Sequence, residues 1–118
     1  MPKNVVILIR SCPYGIATAG EAYRIASGLA AMDHKVNIIF IEDGVFTGFG
    51  NQKPEIIEMQ NVSLAYKGIS EFGAETYFCE ECMTERKIKS EDLSFGQIIK
   101  ILEIKKFIDN SDVVMSFS

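Results

Sequence analysis

The sequence has few of the residues that build small cross-linked or metal-bound domains. Among its 118 residues there are only three cysteines and one histidine. An odd, small set of cysteines is not typical of a disulfide framework, so we expect free thiols in a reducing compartment. A zinc site built on the Cys-x-x-Cys pair would need two more ligands, and only Cys12 and His34 are present besides carboxylates. We therefore predict no metal site.

Long apolar runs and basic clusters are also missing. The longest apolar run, Val5–Ile9, is far shorter than a membrane span or the core of a signal peptide, which predicts a cytoplasmic protein with no membrane partner. The net charge is −4, and no run of Lys or Arg is longer than a pair such as Lys105-Lys106. Direct nucleic-acid binding needs a basic surface, so we do not expect it. The sequence also lacks the glycine spacing and lysine of the common nucleotide-binding loops, and we predict no cofactor.

The remaining composition is that of an ordinary globular chain, with 47% hydrophobic and 24% charged residues. The length fits one domain over residues 1–118.

Apolar periodicity predicts strands and helices in alternation. The aliphatic runs Asn4–Arg10 and Lys35–Ile41 are typical of strands buried on both faces, and a helix from Thr18 to about Met32 is predicted between them. Further strands are predicted over 74–78 and 112–117. Because strand, helix, strand units are parallel and right-handed, we predict an α/β fold with a small doubly wound parallel sheet and helices on both faces.

Three segments between these elements bear on assembly. Residues 45–53 form a predicted loop whose rings Phe46 and Phe49 should cover the site or a partner. A long helix is predicted over 54–72. Another is predicted from Ser94 to about Ile108, with a capping-box spacing at its start. Its apolar residues, Phe107 included, surround most of the helix, which predicts contact with a neighbouring subunit.

The candidate reactive site is Cys79-Glu80-Glu81-Cys82, which follows the third strand and opens a helix. A cysteine at that junction lies at the carboxyl edge of the sheet, beside free backbone N–H groups that favour a thiolate. Cys12, after the first strand, is expected at the same edge. The two glutamates would raise the thiol pKa and Arg86 would lower it, and the sequence does not decide the balance.

Other interpretations of these residues stay open. The Cys-x-x-Cys pair could form a redox disulfide, or both cysteines could be small core hydrophobes. Glu42-Asp43 could be catalytic carboxylates at the same edge, but acids followed by glycine after a strand are more often turn formers, which we favour.

Several short motifs together resemble the DsrE/DsrF/TusC/TusD family of small sulfur-relay proteins, most closely its DsrF/TusC branch. The matching pieces are Pro13-Tyr14-Gly15, Glu21-Ala22-Tyr23-Arg24, Phe40 to Phe46, Gln52-Lys53-Pro54, Cys79 with Arg86, and Asp112 to Phe117. The resemblance implies a flavodoxin-like fold that assembles as a homo- or hetero-oligomer (dimer, trimer or hexamer). It also implies sulfur transfer, in tRNA thiolation or dissimilatory sulfur metabolism, between a donor and an acceptor protein.

The resemblance implies two alternative roles for the chain. In the first, the chain is a sulfurtransferase-type carrier, and Cys79 takes up sulfane sulfur as a persulfide. Cys82 departs from the family pattern, and our hypothesis is that this extra thiol resolves the Cys79 persulfide to a disulfide. In the second, the chain is a non-catalytic assembly subunit of a DsrEFH/TusBCD-like complex, and Phe46, Phe49 and Phe107 bury against a partner. The carrier role requires that the Cys79 sulfur can ionise and be reached from outside.

Overall fold

The computed structural model describes residues 2–11, 18–48, 66 and 68–117. These residues form a parallel sheet with strand order β4-β3-β2-β1-β5. Its strands are β1 (Asn4–Ile9), β2 (Lys35–Phe40), β3 (Ala74–Cys79), β4 (Gln97–Ile99) and β5 (Val113–Phe117). The helices are α1 (Thr18–Ala31), α2 (Glu80–Glu85) and α3 (Ile101–Asp109), with short 3₁₀ segments at Glu42–Gly48, Ile69–Phe72 and Ser90–Asp92.

Both faces of the sheet are covered by helices, as predicted. On one face, alternate residues of β1 pack against Ala22 and Ala26, whose small side chains let α1 approach the sheet closely. We call this the α1 face. On the other, Val6 and Ile39 pack against Ile104 of α3. We call this the α3 face. Near-continuous apolar sequence in β1 and β2 thus reflects burial from two sides.

The direction in which the chain winds changes between β3 and β4. Met83 of α2 belongs to the same apolar cluster as Ala22, so the connection after β3 runs over the α1 face. The connection after β4 is α3, on the opposite face. Neighbouring strands whose connections leave on opposite sides open a crevice at their carboxyl ends, which is where ligands usually bind in open α/β sheets. Cys79 and Ile99, a pair in the sheet register, end these two strands.

The predicted helix from Ser94 to Ile108 is wrong in its first part. Gln97–Ile99 is an edge strand, and the helix begins only at Ile101. Gly96 has φ +82°, and an added Cβ there would lie 2.5 Å from the Phe78 ring, so the chain turns here instead of continuing as a helix. The apolar residues of β4 and α3 follow one another in the sequence, and together they resembled a single helix that is apolar on nearly all sides.

Two other predicted segments are only partly described. Residues 49–65, which include Phe49 and most of the predicted helix over 54–72, lie outside the described residues. At the end of that range Ile69–Phe72 is a 3₁₀ turn, so the regular helix does not extend to Phe72. The first part of the predicted loop is a 3₁₀ segment with Val45 and Thr47 buried.

In the part of the chain that the structure describes, no helix is both long and apolar enough to cross a membrane.

Candidate functional site

Cys79 occupies the strand-to-helix corner that the sequence predicted. It is the last residue of β3 and the N-cap of α2, with extended backbone angles of φ −71° and ψ 117°. Its Sγ accepts a hydrogen bond from the backbone N–H of Cys82 at 3.3 Å. The sulfur thus satisfies one of the N–H groups that a helix leaves unpaired at its start, as a serine or aspartate N-cap would.

The Cys79 side chain is fully buried, with 0% of its surface exposed. It packs on the α3 face of the sheet with Val6, Ile39, Ile99 and Ile104. The expectation of an accessible thiol is therefore wrong for the single chain, because apolar residues of the neighbouring strands and of α3 cover the sulfur.

Burial also decides the electrostatic balance that the sequence left open. Removal from water raises the pKa of the Cys79 thiol from 9.0 to about 12. A hydrogen bond with the Cys82 thiol and the nearby negative charge of Glu81 act in the same direction, while the Cys82 backbone N–H lowers the pKa by less than burial raises it. Near neutral pH this thiol is protonated in the folded chain.

Glu81 closes the crevice between the two strand ends. Its Oε1 and Oε2 accept the backbone N–H of Ile101 at 3.1 Å and 3.2 Å, so the carboxylate caps the start of α3. The Cys79 thiol points at the same Oε1 from 3.9 Å. Sequence reasoning treated Glu81 only as a charge acting on the thiol. The capping contact joins residues twenty positions apart, and no local pattern signals it.

The contacts of Arg86 connect two elements of the fold. Its Nε donates to Asp43 Oδ1 at 2.9 Å, and its Nη1 donates to the Cys82 carbonyl at 3.2 Å. It therefore ties the 3₁₀ segment after β2 to α2. The groups that shift the pKa of Cys79 are its own burial, Cys82 and Glu81, so the lowering that we expected from Arg86 is not found.

The acids after β2 are in ion pairs across this edge. Glu42, with φ +50°, pairs with Arg10 at 2.9 Å, and Asp43 pairs with Arg86. Both are exposed, which agrees better with turn residues than with catalytic carboxylates. Within the described residues no cluster of His, Cys, Asp and Glu could hold a metal ion.

The other two cysteines of the predicted site are Cys82 and Cys12. Cys82 is half-buried and packs against both apolar clusters beside Cys79. Cys12 lies outside the described residues, and its approach to Cys79 stays a prediction.

The buried thiol corner, the doubly wound sheet and the short motifs define a small α/β protein of the type that the sequence resembled. The DsrE/DsrF-like family matches residues 3–117, and the chain belongs to that family. Its sequence relatives agree with the predicted DsrF/TusC branch, which is confirmed.

Among the relatives, protein TusC of Buchnera aphidicola subsp. Baizongia pistaciae is 30% identical over 118 residues, covering 98% of this chain and 99% of that protein. The intracellular sulfur oxidation protein DsrF of Allochromatium vinosum is 25% identical over 131 residues, covering 98% and 96%. The crystal structure of the ychN protein from E. coli has a TM-score of 0.86 at 24% identity, over 99% of this chain and 100% of that one. The last likeness concerns the fold.

Proposed function

We propose that this chain is a subunit of an intracellular sulfur-relay assembly. Its role in the complex is structural, and it does not carry the sulfur itself. The sulfur role is inferred from the family and from relatives such as DsrF, which is named for intracellular sulfur oxidation. The structural role rests on one observation: Cys79, at the position that the resemblance gives to the carrier thiol, is fully buried and has a raised pKa. A relay thiol must ionise and meet its partner.

The surface that such a subunit would offer lies at the β4–α3 edge. Ile98, Ile101 and Leu102 are exposed there, Ile101 by 52% and Leu102 by 74%. β4 also ends the sheet, so its outer backbone groups have no strand neighbour in the described chain. Exposed apolar side chains beside an open edge are typical of a protein interface. Phe107, predicted for this role, packs instead on Tyr77, with ring centroids 4.8 Å apart.

The assembly is tested by native mass spectrometry and sedimentation of the purified chain at several concentrations. We expect an oligomer in the wild type and a shift to monomer in Leu102→Glu. Lys105→Gln is the matched control, because Lys105 is exposed on the same helix and this substitution lowers the net charge by the same one unit as Leu102→Glu. A monomeric wild type that also fails to bind a cysteine-bearing member of the family would refute the proposal.

The absence of a carrier role is tested by incubation with inorganic polysulfide, followed by intact-mass and peptide measurements. We expect no added sulfur on Cys79 in the folded protein. If Cys79 gains the mass of one sulfur atom and Cys79→Ser does not, while both remain folded, the chain is a carrier and the structural role is insufficient.

The carrier role is the second candidate because Cys82 lies within one helical turn of Cys79 and its N–H already points at the sulfur. In that role the Cys79 thiolate attacks the outer sulfur of a donor persulfide and releases the donor thiolate. The Cys82 thiolate then attacks the Cys79 sulfur, forms a disulfide and releases hydrosulfide, and an external dithiol later reduces the disulfide. Unchanged hydrosulfide release in Cys82→Ser would remove the second step.

A further inference from the structure

A cavity of about 540 Å³ opens at the end of the sheet opposite to Cys79. It lies on the α3 face, where β1 and β2 begin, beside the last turn of α3. The first residues of the two strands, Asn4 and Lys35, pair in the sheet register and line it. Its volume is within the roughly 300–1,000 Å³ of small-molecule sites.

The floor of this cavity carries an unusual side chain for a central strand. Asn37 is only 5% exposed and stands between the apolar pair Val6 and Ile39 on the α3 face. Within the described residues its carboxamide has no hydrogen-bond partner, although it lines the cavity. The amide atoms are not sealed in the packed interior but reach the cavity, where their hydrogen-bonding groups are available. A bound molecule would take up these hydrogen bonds.

The walls carry charges of both signs that are not paired with each other. Glu103 and Lys106 are one helical turn apart on α3, a spacing at which ion pairs usually form. In the described part of the chain, however, the ion pairs involve only Arg10 and Arg86 as cations. Lys35 contributes a second unpaired cation across the cavity. The carboxylate and the ammonium groups are thus left available to a ligand.

We propose that this cavity binds a small zwitterion, an α-amino acid or a close analogue. The ligand carboxylate lies between Lys35 and Lys106, and its ammonium group faces Glu103. Asn37 hydrogen-bonds a polar group of the ligand. Val6 and the ring of Phe107 form the apolar wall for its side chain. This site is separate from the sulfur chemistry proposed above.

The test is a titration of isotope-labelled protein followed by two-dimensional amide NMR, with three probes of one shape. The probes are L-phenylalanine, hydrocinnamate, which lacks the amine, and phenethylamine, which lacks the carboxylate. We expect a saturable shift of the Asn37 side-chain amide signals with phenylalanine, and binding weaker by roughly tenfold with either single-charge probe. Equal affinity for a single-charge probe, or no saturable shift with phenylalanine, would overturn the proposal.

Variants locate the binding to the cavity. Lys106→Gln and Glu103→Gln should each weaken phenylalanine binding by roughly tenfold, while Lys105→Gln, on the same helix but outside the cavity, should not change it. Asn37→Val should weaken phenylalanine binding by roughly tenfold, because it removes the amide that hydrogen-bonds the ligand, and a melting curve checks that the variant is folded. Binding that survives Lys106→Gln and Glu103→Gln contradicts the assigned contacts even if Asn37→Val fails to fold.

Discussion

The reactivity of Cys79 relative to Cys82 follows directly from the burial of the first thiol. The perturbation is alkylation of the folded chain by iodoacetamide in a Cys12→Ser background, so that only these two cysteines report. Because the thiolate is the nucleophile, the rate of alkylation depends on the fraction of each thiol that is ionised and on its access to the reagent.

The magnitude comes from the pKa. With a pKa of about 12, only about one Cys79 thiol in ten thousand is ionised near pH 8, whereas a thiol at the ordinary value of 9.0 is ionised to about one in ten. The thiolate population is thus lower by roughly a thousandfold. The covering side chains on the α3 face lower the rate further. A thiolate of higher pKa is intrinsically more nucleophilic, which offsets part of this factor. We therefore expect Cys79 in the folded chain to react at least about a hundredfold more slowly than the half-buried Cys82.

The assay is a time course of labelling with peptide mapping by mass spectrometry, repeated in denaturant. In denaturant the two rates should converge, since both the burial and the pKa shift depend on the fold. If Cys79 in the folded protein is labelled within about tenfold of the Cys82 rate, the sulfur is accessible. The state of Cys79 would then no longer support a purely structural role for the chain.

Three further predictions test the fold around this site. Gly44→Ala should lower the free energy of unfolding by at least about 2 kcal/mol, because the added Cβ would overlap a backbone carbonyl at the end of β1. Gly28→Ala is the matched control: the space around Gly28 is open, and the substitution should raise the free energy of unfolding by about 0.5–1 kcal/mol. Equal effects in a urea titration would contradict this packing. Above the unfolded pKa of 9.0 the unfolded chain loses the Cys79 proton first, so wild type should lose about 1.4 kcal/mol of stability between pH 8 and pH 10 relative to Cys79→Ala. Parallel stability curves for the two proteins would show that the pKa is not raised. Arg86→Ala should lower the free energy of unfolding by about 1 kcal/mol, and by less in high salt because its partner Asp43 is exposed. An unchanged urea midpoint would show that the contacts of Arg86 do not contribute to stability.

The sequence by itself determined the elements whose residues follow a clear local pattern. The aliphatic strands β1 and β2, helix α1 and the change from strand to helix at Cys79 were all predictable, since burial on both faces produces continuous apolar runs and helices repeat every three to four residues. The motifs were also sufficient to recognise the family.

Only the tertiary structure decided what those elements do together. Gln97–Ile99 looked helical because its apolar residues adjoin those of α3, and its pairing with β3 is a contact between distant residues. The cover over Cys79, the carboxylate of Glu81 on the start of α3 and the resulting rise in the thiol pKa are long-range in the same way. A thiol's reactivity depends on the groups and the solvent around it in space, and the spacing of residues along the chain does not define that environment.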